Sequence, residues 1–202
     1  MDSLLHLMKR NRGNRNFSDR SVSKVVLDKI LEAGVSAPSG VVDSVHILVV
    51  DQIEKRQSIH RICFETERIW LSGQPASVRE RIMKSPDFDP TLEYLLKAPV
   101  LLVVSTRPND PESPHAVECA FIALGYMLVM ANGLGLITAP YAPSIMDDSD
   151  EKQLNAIMKL PPGESIQALL PVGYPEKPVK PIARHTYRNV FFNEYGNNYF
   201  QT

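Results

Sequence analysis

Near the start of the chain the sequence reads Lys9-Arg10-Asn11-Arg12-Gly13-Asn14-Arg15-Asn16-Phe17. This stretch combines four cations with a glycine and three asparagines. Glycine adopts positive φ readily, so neighbouring backbone N–H groups can converge on one anion. Arginine adds a planar, permanently charged fork that suits a phosphate. We therefore expect an anion-binding site here. The alternative is a solvated helix end whose cations complement the helix dipole.

Length, composition and charge are those of an ordinary globular chain. The 202 residues suffice for one domain or two small ones, with 44% apolar and 22% charged residues. The net charge of −1 argues against a nucleic-acid partner, since no basic excess is available to neutralise phosphates. Cys63 and Cys119 cannot form a disulfide framework, and the first residues do not resemble a signal peptide. We expect a cytoplasmic protein.

The N-terminal half alternates helical and irregular patterns. Residues 3–10 are expected to be helical, and Ser23 is expected to cap a second helix that runs to about residue 35. Pro38 follows that helix and disfavours its continuation. Residues 52–70 again show helical spacing. Residues 71–92 are polar and contain prolines, which predicts short helices in a surface excursion.

Four apolar runs have the length of strands. Residues 45–50, 100–104 and 166–172 are nearly continuous apolar segments and predict buried strands, and residues 136–139 predict a shorter one. The first run contains His46. We interpret His46 as a histidine of the core, and the alternative is a ligand or proton donor.

Residues 119–146 contain no charged side chain. The span is long enough to cross a membrane. However, Asn132-Gly133, Gly135, Pro140 and Pro143 interrupt it after a helix of ordinary length. We therefore predict a fully buried helix over residues 116–130. A helix that is apolar on every side must be covered all round, and in a chain of this size a second subunit does so most easily.

Two groups of side chains suggest metal sites, and each has a simpler interpretation. His60 with Cys63, and His115 with Cys119, each share a helical face, and together they would suit tetrahedral zinc. Two buried thiols explain the same residues without a metal. The acidic run 147–151 is typical of the first turn of a helix, where carboxylates favour the dipole. We predict no metal site.

The C-terminal segment combines aromatic and basic side chains after a proline-rich linker. Its residues of this kind are Arg184, Tyr187, Arg188, Phe191, Phe192, Tyr195, Tyr199 and Phe200. A segment this aromatic is expected to lie along another protein surface, such as that of a partner subunit.

The order and spacing of several motifs resemble the FMN-dependent nitroreductase family over nearly the whole chain. That family opens with R-R-S-x-R-x-F/Y, where this chain has residues 11–17. It continues with A-P-S at the end of a helix, similar to residues 37–39, and later with an A-L-G-L turn, similar to 133–136. A G-Y-P ahead of a basic residue resembles residues 173–175 and Arg184. Rossmann, P-loop and hydrolase motifs (G-x-G-x-x-G, G-x-x-x-x-G-K-[ST] and G-x-S-x-G) are absent.

The resemblance implies an α+β fold with a central mixed sheet flanked by helices, assembled as an intertwined homodimer. Residues 1–202 would form a single FMN-binding domain. Residues from about 180 to 202 would be an arm that packs on the partner subunit, so that the two subunits exchange their tails.

The resemblance also implies where FMN would bind, at the interface between the subunits. Arg12, Gly13 and Arg15 would hold the phosphate and the pyrimidine edge, with Arg184 as a second phosphate ligand. Pro38, Ser39 and Gly40 would contact the flavin from the other subunit. Pro140, Tyr141 and Ala142 would lie near its N5 edge.

Some positions depart from the family pattern. Val42 and Ser44 stand where the family has Asn and Gln, and Val45-His46 stands in the place of Pro-Trp. A valine side chain cannot form a hydrogen bond to a flavin.

The implied activity is an FMN-dependent oxidoreductase with two half-reactions. NAD(P)H would pass hydride to flavin N5, and a nitroaromatic, quinone or similar conjugated acceptor would then be reduced. Such chemistry needs positioning and electrostatics rather than a nucleophile. Water or Tyr141 would deliver the proton. The alternatives are a dehalogenase or flavin-consuming enzyme of the same fold, a flavin-binding protein without turnover, and a single-span membrane protein.

Overall fold

The computed structural model describes residues 4–5, 7–8, 13–38, 44–85, 88–143, 146–179 and 190–197. Its helices are α1 (Lys24–Val35), α2 (Ile53–Ser72), α3 (Ala76–Met83), α4 (Tyr94–Lys97), α5 (Ala116–Gly133) and α6 (Asp148–Met158). Its strands are β1 (His46–Val50), β2 (Val100–Thr106), β3 (Ile137–Thr138) and β4 (Ser165–Gly173). Residues 4–5 and 7–8 are also helical. These elements confirm the predicted helices and strands, including the short helix within residues 71–92.

The described strands form one sheet in the order β1-β2-β4-β3, with antiparallel pairing between neighbours. The first residue of β1, His46, is level with Ser105 near the end of β2, and Thr106 is level with Ser165 at the start of β4. A parallel bridge between Gly13 and Thr138 adds the segment that begins at Gly13 to the outer edge of the sheet. The predicted α+β class, a sheet flanked by helices, is confirmed. The named strands pair antiparallel rather than as the predicted mixed sheet, and among the described residues the Gly13–Thr138 bridge is parallel.

Helices cover both faces of the sheet, because side chains of each strand alternate between them. Leu101 and Val103 of β2 pack with the apolar sides of α2, α4 and α6. Leu102 and Val104 point the other way and pack with α1 and α5. All of β2 is buried as a result, which explains why its sequence is continuously apolar.

Local sequence signals account for several helix positions. The Ser23 hydroxyl accepts a hydrogen bond from the Val26 amide and begins α1. The Asp147 carboxylate accepts hydrogen bonds from the amides of Ser149 and Asp150, both at 2.9 Å, and begins α6. The acidic run therefore serves as a helix cap and first turn, as predicted.

The two histidine–cysteine pairs lie on helices that cover opposite faces of the sheet. Cys63 of α2 and Cys119 of α5 are both buried free thiols. Burial raises the pKa of the Cys63 thiol to about 12. The two thiols are separated by the sheet, so a shared zinc site is excluded. Within the described ranges, no group of His, Cys, Asp and Glu side chains has an arrangement that could hold a metal ion.

Strand β1 corrects the prediction that residues 45–50 form a buried strand. It lies at the edge of the sheet, and Val50 is its one buried residue. The His46 side chain is 51% exposed, so its interpretation as a core histidine was wrong. An apolar run does not reveal whether a strand has neighbours on both sides, and among the described residues β1 has a neighbouring strand on one side.

Helix α5 is covered on one side within the described chain, and the expected cover of its other side by a second subunit stays a prediction. One side packs on the sheet through Ala120, Ala123, Leu124 and Met127. The opposite side of the same helix leaves large apolar side chains exposed in the single chain: Phe121, Ile122, Tyr126 and Met130. Of the described helices, α5 is long and apolar enough to span a membrane by length and composition, a test that core helices also pass.

The predicted C-terminal arm falls mostly on residues 180–189 and 198–202, which lie outside the described residues. Residues 190–197 form local turns, in which the Phe192 amide donates to the Asn197 carbonyl at 2.7 Å. Tyr195 is 94% exposed in the single chain. The dimer and the exchange of tails stay predictions.

Candidate functional site

Residues 13–17, the described part of the basic N-terminal stretch, run along the outer edge of the sheet. Gly13 is bridged to Thr138 in parallel, and Phe17 is bridged to Pro175 in antiparallel orientation. The Phe17 ring is buried in the core and holds this segment in place. Residues 13–17 are therefore an extended segment fixed at both ends, not the solvated end of a helix.

The segment after β3 continues along the same edge. Thr138 is bridged to Gly13, and three residues later Tyr141 pairs with Leu169 of β4 through two backbone hydrogen bonds of 2.8 Å. The structure thus brings two of the predicted site segments, 13–15 and 140–142, to one edge of the sheet. Pro140 and Ala142 flank the buried Tyr141 and are exposed.

Gly13 leaves its surroundings open. A Cβ built at this position would have no described atom within 4 Å, and the residue is exposed. Backbone groups here are therefore accessible to a ligand, which is the role that the sequence predicts for a glycine between arginines.

Arg15 turns its side chain toward the core side of the sheet edge. Its guanidinium carbon lies 4.8 Å from the centre of the Tyr94 ring, in a cation–π arrangement. It also attracts the carboxylate of Glu67, a half-buried residue of α2. The positive charge that the sequence places in this segment therefore has an aromatic and an acidic neighbour that the sequence did not indicate.

Glu67 and Tyr141 influence each other in this partly buried environment. Burial raises the pKa of Glu67, and the opposing effects of Arg15 and the Tyr141 hydroxyl are smaller. Burial is also the main cause that raises the pKa of Tyr141 above its ordinary value. The Tyr141 hydroxyl is buried beside Glu67, although no described group forms a hydrogen bond of standard geometry with it.

The other predicted site residues are distributed as follows. Pro38 is exposed after the end of α1. Arg12, Ser39, Gly40 and Arg184 lie outside the described residues, and their roles stay predictions. Glu67 and Tyr94 were missed. The signal for Glu67 was its position on α2 next to Thr66 and four residues after Cys63, both on the buried side of the helix.

A second polar cluster lies where β4 begins. The Glu164 side chain is 1% exposed, and its Oε1 lies 3.1 Å from His46 Nδ1 and 3.9 Å from Arg107 Nε. The carboxylate faces a cavity of about 150 Å³. The sequence did not indicate this cluster, because its members are separated by more than fifty residues along the chain.

The fold and the first site define a class of protein: an α+β domain whose antiparallel sheet lies between two helical layers and carries a basic N-terminal segment at its edge. Residues 8–174 match the Nitroreductase family, and the chain belongs to this family. The resemblance noted in the sequence is confirmed.

Individual relatives fall into two groups. An iodotyrosine deiodinase of Thermotoga neapolitana is 26% identical over 88% of this chain and 91% of its own length. An iodotyrosine deiodinase structure with bound FMN and 3-iodo-L-tyrosine superposes with a TM-score of 0.76 at 26% identity, covering 94% of this chain and 100% of that one. An FMN-dependent nitroreductase from Clostridium difficile has a TM-score of 0.74 at 25% identity, covering 95% and 99%. This chain spans 58–61% of the length of several animal iodotyrosine deiodinases that it also matches.

Proposed function

We propose that the protein is an FMN-dependent oxidoreductase that accepts hydride from NAD(P)H and reduces a small, electron-poor conjugated acceptor. The observation that carries the proposal is the bridge between Gly13 and Thr138, which joins the arginine-rich segment to the segment ending in Pro140, Tyr141 and Ala142. Membership of the nitroreductase family and the FMN-containing relatives support it.

The residues at this edge fit a flavin mononucleotide. The backbone at Gly13 is exposed and open. Arginine is suited to a flavin phosphate because it binds a dianion through two parallel hydrogen bonds. Arg12 and Arg184 would hold the phosphate, and Arg15 would face the pyrimidine edge. The exposed Pro140 and Ala142 would line the N5 edge. Pro38, Ser39 and Gly40 would be contributed by the partner subunit.

Bound FMN would supply reversible two-electron chemistry, and the chain would supply charge and orientation. Arg15 places a cation in partly buried surroundings, where electrostatic effects are stronger than in water. Glu67 opposes part of this positive charge. Tyr141, like any phenol, keeps its proton at neutral pH, and burial raises its pKa further. It is the side chain that we propose as proton donor alongside water.

The proposed assembly is a homodimer in the cytoplasm. The exposed apolar side chains of α5, led by Phe121, Ile122 and Tyr126, form a surface that favours contact with a second copy. The C-terminal arm would complete this contact. Two buried free thiols, Cys63 and Cys119, agree with a reducing compartment.

A second candidate function is reductive dehalogenation of a halogenated aromatic compound by the same flavin. The similarity to the Thermotoga neapolitana iodotyrosine deiodinase over most of both chains favours it. In this case, electrons would reach the flavin from a donor other than NAD(P)H or through a separate reductase. A flavin-binding protein without turnover is the remaining alternative, and Val42 and Ser44 in place of Asn and Gln are the residues that suggest it.

The test begins with an absorption spectrum of the purified protein and the mass of any released cofactor. Anaerobic addition of NADH or NADPH is then expected to bleach the flavin, and a nitroaromatic or quinone is expected to restore the colour. If dithionite bleaches the flavin, nicotinamides do not, and 3-iodo-L-tyrosine reoxidises it with release of iodide, the dehalogenase is the correct function. Colourless protein that does not bind added FMN would contradict both.

A further inference from the structure

The cavity at the start of β4 is separate from the edge that carries Gly13 and Arg15. Strand β4 begins at Ser165, next to Glu164, and its far end is paired with β3 through Gly173. At about 3.3 Å per residue, Glu164 lies roughly 30 Å along the strand from Gly173. The cavity is therefore separate from the edge at which Gly13 and Arg15 of the same chain would meet FMN.

The bottom of the cavity is a buried acid. Glu164 is 1% exposed at its side chain, and neither of its carboxylate oxygens has a hydrogen-bond donor of standard geometry in the described part of the chain. A buried carboxylate without such donors carries a large desolvation penalty. His46 and Arg107 approach the Oε1 oxygen, at 3.1 and 3.9 Å, and Glu164 is one of the residues that line the cavity.

The mouth of the cavity is basic. His46 and Arg107 are 51% and 52% exposed at their side chains. The described lining also includes the buried Ser44 and Ser113 and the half-buried acid Asp110. A ligand would therefore meet an acid at the closed end and two nitrogen bases at the open end.

The acid at one end of the cavity and the two nitrogen bases at the other favour a ligand that carries both a positive and a negative charge. The closed end needs N–H donors for Glu164, which an ammonium group provides. The open end suits a carboxylate, because a guanidinium binds it through two parallel hydrogen bonds. The cavity of about 150 Å³ has the volume of about five liquid water molecules, so the ligand has only about five or six non-hydrogen atoms.

From these contacts we propose that the cavity binds a small zwitterionic amino acid, with its ammonium group on Glu164 and its carboxylate between Arg107 and His46. Neither end suffices alone. A ligand with a single charge would engage only one end of the cavity.

The probes are glycine, methylammonium and acetate, titrated into the full-length purified protein by isothermal titration calorimetry. Glycine is expected to bind with about millimolar affinity, as so small a ligand allows, and at least tenfold more tightly than either single-charge probe. Glu164→Gln keeps the shape and removes the charge, and it is expected to weaken glycine binding at least tenfold. Arg107→Met is expected to have a similar effect.

Glu112→Gln is the matched control, because Glu112 is an exposed acid in the same loop as Arg107 and Asp110 but outside the cavity lining. It is expected to bind glycine like the parent. If Glu164→Gln does not fold, Arg107→Met still provides the test, since Arg107 is half exposed. The proposal is overturned if glycine does not bind, if methylammonium binds as tightly as glycine, or if both cavity variants keep the parent's affinity. FMN content is measured in parallel and is expected to be unchanged.

Discussion

At the scale of single residues, the candidate site depends on which groups surround the positive charge of Arg15. Arg15 lies over the Tyr94 ring and attracts Glu67, while Tyr141 adds a neutral hydroxyl next to the same carboxylate. Burial acts against charge on Glu67, and Arg15 acts for it. Because the pKa of Glu67 is raised, the desolvation penalty is the larger of the two effects.

Glu67→Gln is therefore expected to stabilise the protein slightly at neutral pH. The folded pKa lies above the ordinary value of 4.5, so the folded state binds the proton more tightly than the unfolded state does. The contribution of Glu67 to the free energy of unfolding is thus most favourable below pH 4.5 and declines as the pH rises through the folded pKa. The melting temperature of the variant, measured over a series of pH values, is expected not to show this decline. The control Glu65→Gln, an exposed glutamate of the same helix, is expected to keep it.

Tyr141→Phe tests the proton donor separately from the fold. The hydroxyl interacts with Glu67 without a hydrogen bond of standard geometry, so its removal is expected to change the melting temperature little. The pKa of Glu67 is expected to rise further, since the hydroxyl is one of the groups that lower it. NMR titration of a Glu-labelled protein measures this change. If Tyr141 is the donor, turnover falls at least tenfold. Unchanged turnover would assign proton delivery to water.

Sequence reasoning reached some of these residues and not others. Gly13 and Arg15 belong to one short, unusual stretch, so composition alone indicates them. Glu67 is one of several charges along α2, and its role depends on Arg15, which is more than fifty residues away. His46 was misinterpreted because an apolar run does not show which strand forms the edge of the sheet. The role of a residue that depends on tertiary contacts cannot be predicted from the spacing of residues along the sequence.

At the scale of secondary-structure elements, three segments meet closely at the end of β4. A Cβ at Gly173 would lie 2.6 Å from Pro99 Cδ and 2.9 Å from Phe17 Cδ1. The absence of a side chain thus allows Phe17 to pack into the core, and Phe17 anchors the segment that begins at Gly13. The apolar patterns predicted the element types well, because periodicity reports which faces are buried. They did not predict this contact.

Gly173→Ala is expected to destabilise the protein by about 1–3 kcal/mol, since the proline ring and a buried phenylalanine must both shift. Displacement of Phe17 is also expected to weaken FMN binding through Gly13 and Arg15. Chemical denaturation and fluorescence titration with FMN measure the two effects. Gly73→Ala is the control, because a Cβ there meets its nearest atom at an ordinary 3.5 Å and φ is −78°. Equal stability of both variants would contradict the close packing.

At the scale of the whole molecule, the proposed cofactor site draws on both ends of the chain. Replacing Arg12 and Arg184 together by alanine is expected to remove bound FMN and keep the fold. Two charge-assisted contacts of about 1.5–3 kcal/mol each would be lost, which weakens binding by roughly two to four orders of magnitude. Absorbance at the flavin band and circular dichroism measure both outcomes. The control pair, Arg79→Ala with Arg81→Ala, removes two exposed arginines of α3 and is expected to stay yellow.

The proposed dimer rests on the exposed side of α5. The sequence indicated that α5 must pack against other protein on every side, and within the described part of the single chain only one side is buried. Tyr126, Phe121 and Ile122 are 46%, 45% and 41% exposed there. What covers them is not contained in the sequence of one chain, because the periodicity shows that a face is apolar and not what lies against it.

Tyr126→Asp is expected to convert the dimer to monomers. A two-fold axis would bring the new carboxylate into the interface twice, and each unpaired buried charge costs several kcal/mol. The fold of each subunit is expected to survive, since Tyr126 is 46% exposed in the single chain. Sedimentation velocity measures the oligomer, and FMN content is expected to fall with it if the partner contributes Pro38 and Ser39. Met83→Asp, at a 63% exposed position on α3, is expected to remain dimeric. A Tyr126→Asp variant that sediments like the parent would place the subunit contact elsewhere, and the exposed apolar side of α5 would then need another partner.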